Sequence, residues 1–211
     1  MGMALPPVVL ASTLQSARQI AVWSVADLTG RLVELSADAE TAHLTAAFGL
    51  VLEAQLSGDR AAWVTLEQSV FFPPDVADGG IDLDALPVVR VRAAREAGRA
   101  ADHLVRSGGF GLVVVDLSDG EAGRPAPPCL LPAPLLTRLL GLARQHEAAV
   151  LFLTRKPAAA PSLHSLISLR AEARRRVRGE RYELCVSVIK DKRGVAGWTH
   201  VETCRGPAGV R

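Results

Sequence analysis

Residues 111–116 read Gly-Leu-Val-Val-Val-Asp and form the strongest strand signal in the chain. A continuous apolar run of this length, preceded by glycines, is typical of a central strand covered on both faces. Parallel sheets bury their strands in this way, because crossover helices pack on either side. The stretch therefore predicts an α/β fold whose central sheet is mainly parallel and flanked by helices.

The flanking sequence alternates between short apolar runs and helical periodicity. Strands are predicted over 31–35, 61–66, 87–91 and 149–154, and helices over 40–56, 94–107 and 135–146. Helix 40–56 is expected to bury Leu44, Ala47, Phe48, Val51 and Leu52. Between the second and third strands, Pro73-Pro74 and Gly79-Gly80 predict a surface loop.

The pattern changes in the C-terminal part, where strands follow one another without intervening helices. These strands are predicted over 166–174, 182–190 and 198–204, and Arg178-Gly179-Glu180 supplies the first turn. We therefore expect antiparallel strands to extend the parallel sheet at its C-terminal side.

Composition narrows the class of protein. The chain has 211 residues, 49% of them hydrophobic and 22% charged, which fits one globular domain and excludes disorder. No apolar stretch approaches the roughly 18 residues that a membrane span needs, and no signal peptide is visible. Cys129, Cys185 and Cys204 show no metal-ligand spacing and fit a reducing compartment. The expectation is a cytoplasmic protein without membrane contact or a metal site.

The net charge of +2 hides an uneven distribution. Residues 170–211 hold 11 Lys/Arg against 5 Asp/Glu, whereas residues 1–169 hold 13 against 17. The basic run consists of Arg170, Arg174, Arg175, Arg176, Arg178 and Arg181. It is interpreted as a hairpin tip kept in solvent by its charge, or as a contact for DNA or for an acidic protein.

Several segments, in this order and spacing, resemble the ATPase core of RecA-type recombinases. They are 29–35, Leu66-Glu67, 106–116, 168–170 and 186–192. The resemblance covers residues 27–209 and implies a RecA-like ATPase-core fold. It divides the chain into a short N-terminal segment, 1–27, and a core domain, 28–211.

The segment that should bind phosphate departs from the family pattern G-x-x-x-x-G-K-[ST]. In this chain Ala37 and Ala42 replace the two glycines, His43 replaces the lysine and Leu44 replaces the hydroxyl that binds Mg²⁺. Asp38 and Glu40 add negative charge where an anion would bind. We therefore expect a pseudo-ATPase with no catalytic residues and no cofactor.

Two further carboxylates lie where the resemblance places catalytic groups. Glu67 matches the residue that activates water, and Asp116 matches the one that organises Mg²⁺. Without a bound phosphoryl group both are interpreted as vestigial or structural. The loops that would hold DNA, around 117–134 and 156–164, carry few basic residues, so direct DNA binding by these loops is expected to be weak.

Lys190 and Lys192 are two of only three lysines beside 21 arginines. They match the recombinase lysines that reach a neighbouring subunit's nucleotide. One interpretation is two strand-end lysines in water. The other is a retained docking face for RecA.

A RecA-like core with an altered phosphate loop resembles the ImuA family. That resemblance implies a role in the SOS DNA-damage response and in error-prone translesion synthesis, with RecA, ImuB and an error-prone polymerase subunit as partners. Two alternatives stay open: a SulA-like inhibitor that binds the division protein FtsZ, and an NTPase with a non-standard phosphate loop.

Overall fold

A computed structural model describes residues 23–38, 42–69, 71, 73–118, 131–178 and 181–204. Several sequence predictions fall outside these residues: most of the first loop, the turn at Gly179-Glu180, the middle of the altered phosphate loop (39–41), and Cys129.

Eight strands and five helices make up the described chain. The strands are β1 (Arg31–Ala37), β2 (Ala61–Leu66), β3 (Val88–Val91), β4 (Leu112–Asp116), β5 (Ala149–Arg155), β6 (Leu169–Arg178), β7 (Arg181–Asp191) and β8 (Thr199–Cys204). The helices are α1 (Val25–Leu28), α2 (Ala42–Leu56), α3 (Pro73–Asp78), α4 (Ala94–Arg106) and α5 (Ala133–Gln145).

All eight strands join one sheet in the order β3-β2-β4-β5-β1-β6-β7-β8. The strands from β3 to β6 in this order run parallel, and β7 and β8 continue the sheet as antiparallel neighbours. The predicted α/β fold, mainly parallel and extended by C-terminal antiparallel strands, is confirmed. Every residue of β4 is buried, as expected for a strand covered on both faces.

Two apolar clusters sandwich the sheet. On one face α2 packs over the sheet, and the ring of Phe48 stacks on that of Trp63 with centroids 4.6 Å apart. On the other face α4 and α5 pack on strands β1 to β5. The loops that connect strands to helices begin at the carboxyl ends of the parallel strands. Ligands of open α/β sheets bind at these ends.

The expectation for the buried face of α2 was partly wrong. Ala47 and Val51 are buried as predicted, but Leu44, Phe48 and Leu52 are only partly covered. The sheet-facing side instead carries several alanines: the buried residues are Ala42, His43, Ala46, Ala47, Leu50, Val51 and Ala54. Small side chains let the helix approach the sheet closely, so the bulky residues pack at its flank.

The predicted surface loop around Pro73-Pro74 was also wrong, because it contains helix α3. Proline is favourable at the first position of a helix, where its fixed φ suits the helix and its missing N–H is not needed. The glycines end this helix, and Gly80 has a φ of 90°. No helix in the described part of the chain is long and apolar enough to cross a membrane.

The hairpin of β6 and β7 extends beyond the sheet edge where β1 ends. Ser36 of β1 pairs with Glu172, and β6 then continues to Arg178. The projecting part is three-stranded, because β8 pairs with residues 182–187 of β7. The basic run of the sequence therefore lies mostly on this projection.

Candidate functional site

The carboxyl ends of β1, β2, β4 and β5 meet at one edge of the sheet, because these strands are parallel. This arrangement brings the positions of the altered phosphate loop, Asp116 and Thr154 to the same edge. The ends of the altered phosphate loop and Asp116 therefore share one edge of the sheet.

The altered phosphate loop lies between a strand and a helix, and its residues 39–41 are outside the described part of the chain. The strand ends at Ala37 and α2 begins at Ala42. Ala42 and His43 are each 3% exposed, and Leu44 packs against the core cluster. Groups that bind phosphate and Mg²⁺ have to reach the ligand, whereas these side chains are buried or apolar. Residues 42–44 therefore lack the ammonium and hydroxyl groups with which the family pattern binds phosphate and Mg²⁺.

Asp116 is completely buried and is bound by hydroxyl and amide donors of its own chain. Its Oδ1 accepts hydrogen bonds from the backbone N–H (3.0 Å) and the hydroxyl of Ser118. Its Oδ2 accepts from Ser69 Oγ at 3.2 Å and from Thr65 Oγ1 at 3.4 Å. This carboxylate ties β4 to the end of β2 and to the following turn.

Glu67 lies in the turn after β2, and its side chain is 51% exposed. Its Oε1 lies 3.4 Å from Nε of Arg92, whose side chain is 83% exposed. An ion pair so open to water contributes little to stability. Glu67 and Asp116 thus differ sharply in environment, although the resemblance assigned them to one site.

Glu34, in the middle of β1, is a buried carboxylate that the sequence analysis did not single out. Its neighbours in the sheet register are Phe152 of β5 and Arg170 of β6, and Arg170 pairs in turn with Lys190 of β7. Lys156 Nζ lies 2.5 Å from Glu34 Oε1, and Arg170 Nε lies 3.9 Å from Oε2. We call Glu34, Lys156, Arg170 and Lys190 the charged cluster.

The charged cluster holds segment 156–168 against the sheet. Glu34 accepts hydrogen bonds from the Leu163 backbone N–H (2.8 Å) and from Thr154 Oγ1 (2.9 Å). Arg170 donates to the carbonyl groups of Pro157 (2.9 Å) and Ala160. Lys156 donates to the carbonyl of Pro161 at 2.7 Å. This segment includes the predicted second DNA loop, and the side chain of Lys156 is engaged within the protein.

Lys190 and Lys192 both contact this segment of their own chain. Lys192 Nζ donates to the Ser165 carbonyl at 2.5 Å, and Lys190 Nζ lies 3.5 Å from Ser162 Oγ. Burial lowers the pKa of Lys190, and the charges of Lys192 and Arg170 lower it further, while Glu34 opposes the change. Lys190 is half-buried and Lys192 is exposed, so the pair lies at the surface of the cluster.

The basic run is divided between two environments. Arg170 is 3% exposed and belongs to the charged cluster, because it points towards Glu34. Arg174, Arg175, Arg176, Arg178 and Arg181 are exposed on the projecting hairpin. The guanidinium carbon of Arg175 lies 4.8 Å from the centre of the Tyr182 ring.

A signal for Glu34 was available in the sequence. It is the one carboxylate within the otherwise apolar stretch Leu32–Leu35, and a charge inside a buried strand requires a partner. Its partners come from residues 156, 170 and 190, so only the strand register identifies them. Among the described residues no cluster of His, Cys, Asp or Glu is arranged to hold a metal ion.

Comparisons with known proteins point to one group of relatives. No family model matches the chain. It is 33% identical over 112 residues to the protein RecA of Corynebacterium efficiens, a match that covers 53% of this chain and 28% of that one. RecA of Corynebacterium glutamicum shows 33% identity over 112 residues, covering 53% and 29% of the two chains. RecA of Nocardia farcinica shows 36% over 88 residues, covering 41% and 25%.

The chain thus matches less than a third of the length of these RecA proteins. The similarity to RecA proteins fits the mainly parallel sheet flanked by helices, and together they show that this protein has a RecA-like α/β fold.

Proposed function

We propose that this protein is a non-catalytic RecA-like component of the SOS DNA-damage response that binds or modulates RecA. In this proposal it takes part in error-prone translesion synthesis, together with ImuB and an error-prone polymerase subunit. The similarity to RecA proteins supports the link to DNA repair. The resemblance to the ImuA family adds the mutagenic assembly.

One observation carries the non-catalytic part of the proposal. At the start of α2, where the family places a cation and a hydroxyl for the nucleotide, Ala42 and His43 are buried and Leu44 packs against the core. The hydrogen bonds of the Asp116 carboxylate support the same conclusion. To bind Mg²⁺, this carboxylate would have to give up several hydrogen bonds within the protein. A chain that keeps this fold without these groups is suited to docking.

The lysine pair supports RecA as the docking partner. Lys190 and Lys192 lie at the end of β7, and two neighbouring ammonium groups attract phosphate oxygens. The 3.5 Å contact from Lys190 to Ser162 is long and neutral, so the nucleotide of a docked RecA subunit would offer a stronger partner. In the proposed complex this chain contributes lysines to an ATP site that RecA completes.

The test is a binding assay between this protein and RecA from the same organism, with and without single-stranded DNA and ATP. We expect binding that is tightest with ATP, and Lys190→Glu/Lys192→Glu should weaken it at least about tenfold, because two attractive contacts become repulsive. Arg95→Glu/Arg99→Glu is the matched control, since both arginines are exposed on α4 and the charge change is the same.

Unchanged RecA binding by the lysine variant would reject the docking face. If the wild-type protein does not bind RecA but binds FtsZ in a parallel pull-down, the proposal is wrong and the division-inhibitor function is supported. Circular dichroism of both variants checks that each has folded.

A further inference from the structure

Strand β8 forms one edge of the sheet, and its pairing with β7 begins at a bulge. The sheet order ends at β8, and among the described residues no strand lies beyond it. The Val188 backbone N–H donates to the carbonyl of Trp198 at 2.9 Å, and the Gly197 N–H donates to the carbonyl of Val188 at 2.9 Å. Gly197 and Trp198 therefore face Val188 together, and Gly197 has the positive φ, 92°, that is typical of such a bulge.

The position of this bulge determines which backbone groups of β8 face outward. In an antiparallel pair, hydrogen-bonded and non-hydrogen-bonded residue pairs alternate. Counting from the hydrogen-bonded Trp198, the even-numbered residues of β8 direct their N–H and C=O groups to β7. The same groups of Thr199, Val201 and Thr203 point away from the sheet, where no strand of the described chain pairs with them.

Strand β8 also lacks the features that commonly keep an edge strand from pairing with another chain. Protected edges are often very short or carry proline or lysine. The six residues of β8 include neither proline nor lysine, and Val201 is 55% exposed. The opposite edge strand, β3, has only four residues, follows Pro87 and carries the exposed Arg90. Pairing with another chain is therefore expected at β8 rather than at β3.

The sequence of β8 is complementary to itself when two copies pair antiparallel around Val201. In this register Val201 faces its own copy and Thr199 faces Thr203, so all the outward backbone groups meet in hydrogen-bonded pairs. His200 of each copy lies opposite Glu202 of the other. These two pairs occupy non-hydrogen-bonded positions, where opposite side chains are closest and a histidine and a carboxylate attract each other.

Other registers lose this complementarity. Centring the pair on His200 places two histidines opposite each other, and centring it on Glu202 places two carboxylates opposite each other. Like charges in directly opposite positions are destabilising. Registers centred between two residues set the outward backbone groups against residues whose groups already bond to β7. The register around Val201 therefore suits both the backbone and the side chains.

We infer that β8 is a dimer interface, at which two copies of this chain join their sheets around a two-fold axis at Val201. A two-fold dimer uses the same surface of both subunits, and a self-complementary strand provides such a surface. Because two short edge strands bury little area, the dimer is reversible, with a dissociation constant on the order of 10 μM.

The inference goes beyond the proposed function and does not rest on it. Lys190 and Lys192 follow the part of β7 that pairs with β8, residues 182–187, so the lysine pair lies outside the interface. A dimer would present two such pairs to RecA. Self-association is measured without RecA, so that a failed dimer and failed RecA docking are separate results.

Sedimentation equilibrium of the full chain over a range of concentrations tests the inference. We expect a monomer–dimer equilibrium, and His200→Glu should raise its dissociation constant about tenfold, because both histidine–carboxylate pairs become pairs of like charge. Adding Glu202→His to this variant exchanges the two side chains and should restore the dimer. His103→Glu makes the same change at an exposed site on α4 and should leave the equilibrium unchanged.

Cysteine cross-linking tests the register, in a protein whose Cys129 and Cys204 are replaced by serine. Val201→Cys should form a disulfide between two copies under mild oxidation, because directly facing residues are within reach of such a bond. Thr199→Cys is the matched control and should not, because its two copies lie four residues apart along the paired strands, about 14 Å.

Three results would overturn the inference. The first is a wild-type protein that stays monomeric at ten times the expected dissociation constant. The second is a His200→Glu/Glu202→His variant that dimerises no better than His200→Glu alone, although circular dichroism shows both to be folded. The third is cross-linking of Thr199→Cys that is as efficient as that of Val201→Cys.

Discussion

At the scale of single residues, Asp191 ties the C-terminal strands to β1. Its buried carboxylate pairs with the guanidinium of Arg31, and both side chains are less than a tenth exposed. The Arg193 backbone N–H also donates to it at 2.9 Å. Burial alone would raise the pKa of Asp191, but the bonds from Arg31 and from the backbone of Arg193 and Gly194 outweigh burial and lower it.

This lowered pKa predicts a pH-dependent contribution to stability. The contribution is complete above the ordinary aspartate pKa of 3.8 and is lost as the pH falls through the lower value of the folded state. Asp191→Asn should therefore cost about 3 kcal/mol near neutral pH, where it leaves Arg31 buried without a charged partner. The difference from wild type should shrink below pH 3.8. Urea unfolding near neutral pH and below pH 3.8 measures this difference in the free energy of unfolding.

The exposed Asp84 supplies the control for that measurement. Asp84→Asn should change the free energy of unfolding little at either pH. A cost for Asp191→Asn that stays the same in acid would contradict the role given to the ion pair.

At the scale of elements, segment 156–168 is fixed by charge rather than by regular secondary structure. Glu34 accepts its Leu163 amide, Arg170 binds its Pro157 and Ala160 carbonyls, and Lys192 binds its Ser165 carbonyl. Leu163, Leu166 and Ile167 add apolar contacts with the cluster under α4 and α5. Glu34 is thus one of several anchors of the segment, and it is also the carboxylate that balances the charges of Lys156 and Arg170.

Replacing the carboxylate of Glu34 tests how much it contributes to the anchoring of segment 156–168. Glu34→Gln keeps the size of the side chain but leaves Arg170 and Lys156 without a negative partner in a buried place, which should cost about 3 kcal/mol. Hydrogen exchange of the Leu163 amide should become faster, and so should proteolysis within segment 156–168. Glu172→Gln is the matched control, because Glu172 is also buried but pairs with Arg174 on β6. Equal exchange in the two variants would refute the anchoring role.

The elements also show which parts of the structure can be predicted from the sequence. Strands β2, β4 and β5 were predicted within a residue of their observed ends, because apolar runs bounded by glycine and polar residues are local signals. Arg170 was grouped with the hairpin arginines because it belongs to the same run, yet its position in β6 points it inward to Glu34. The charged cluster was missed because its members come from β1, the end of β5, β6 and β7 and meet only through the pairing of these strands.

At the scale of the whole molecule, a RecA-like sheet is combined with Ala42, His43 and Leu44 at the positions where the family pattern has glycine, lysine and a hydroxyl. The fold class and the sheet edge at which these residues lie were predictable from the order of motifs. The burial of Ala42 and His43 and the bonding of Asp116 were not, because they depend on packing between distant segments.

Isothermal calorimetry with ATP and Mg²⁺ tests whether the protein binds the nucleotide. We expect no binding heat at millimolar ATP, because no lysine is present in the loop and the hydroxyl position is leucine. RecA measured under the same conditions is the positive control. A saturable signal with one ATP per chain would reinstate the NTPase with a non-standard phosphate loop.

The strand order also has a consequence for how the chain acquires its structure during synthesis. Strand β1 is made early, but its two sheet neighbours, β5 and β6, begin at residues 149 and 169. Glu34 therefore stays hydrated until its cationic partners leave the ribosome. Folds dominated by such distant pairings form slowly. Strand β1 can accordingly gain both of its sheet neighbours only after residues 149–178 have been synthesised.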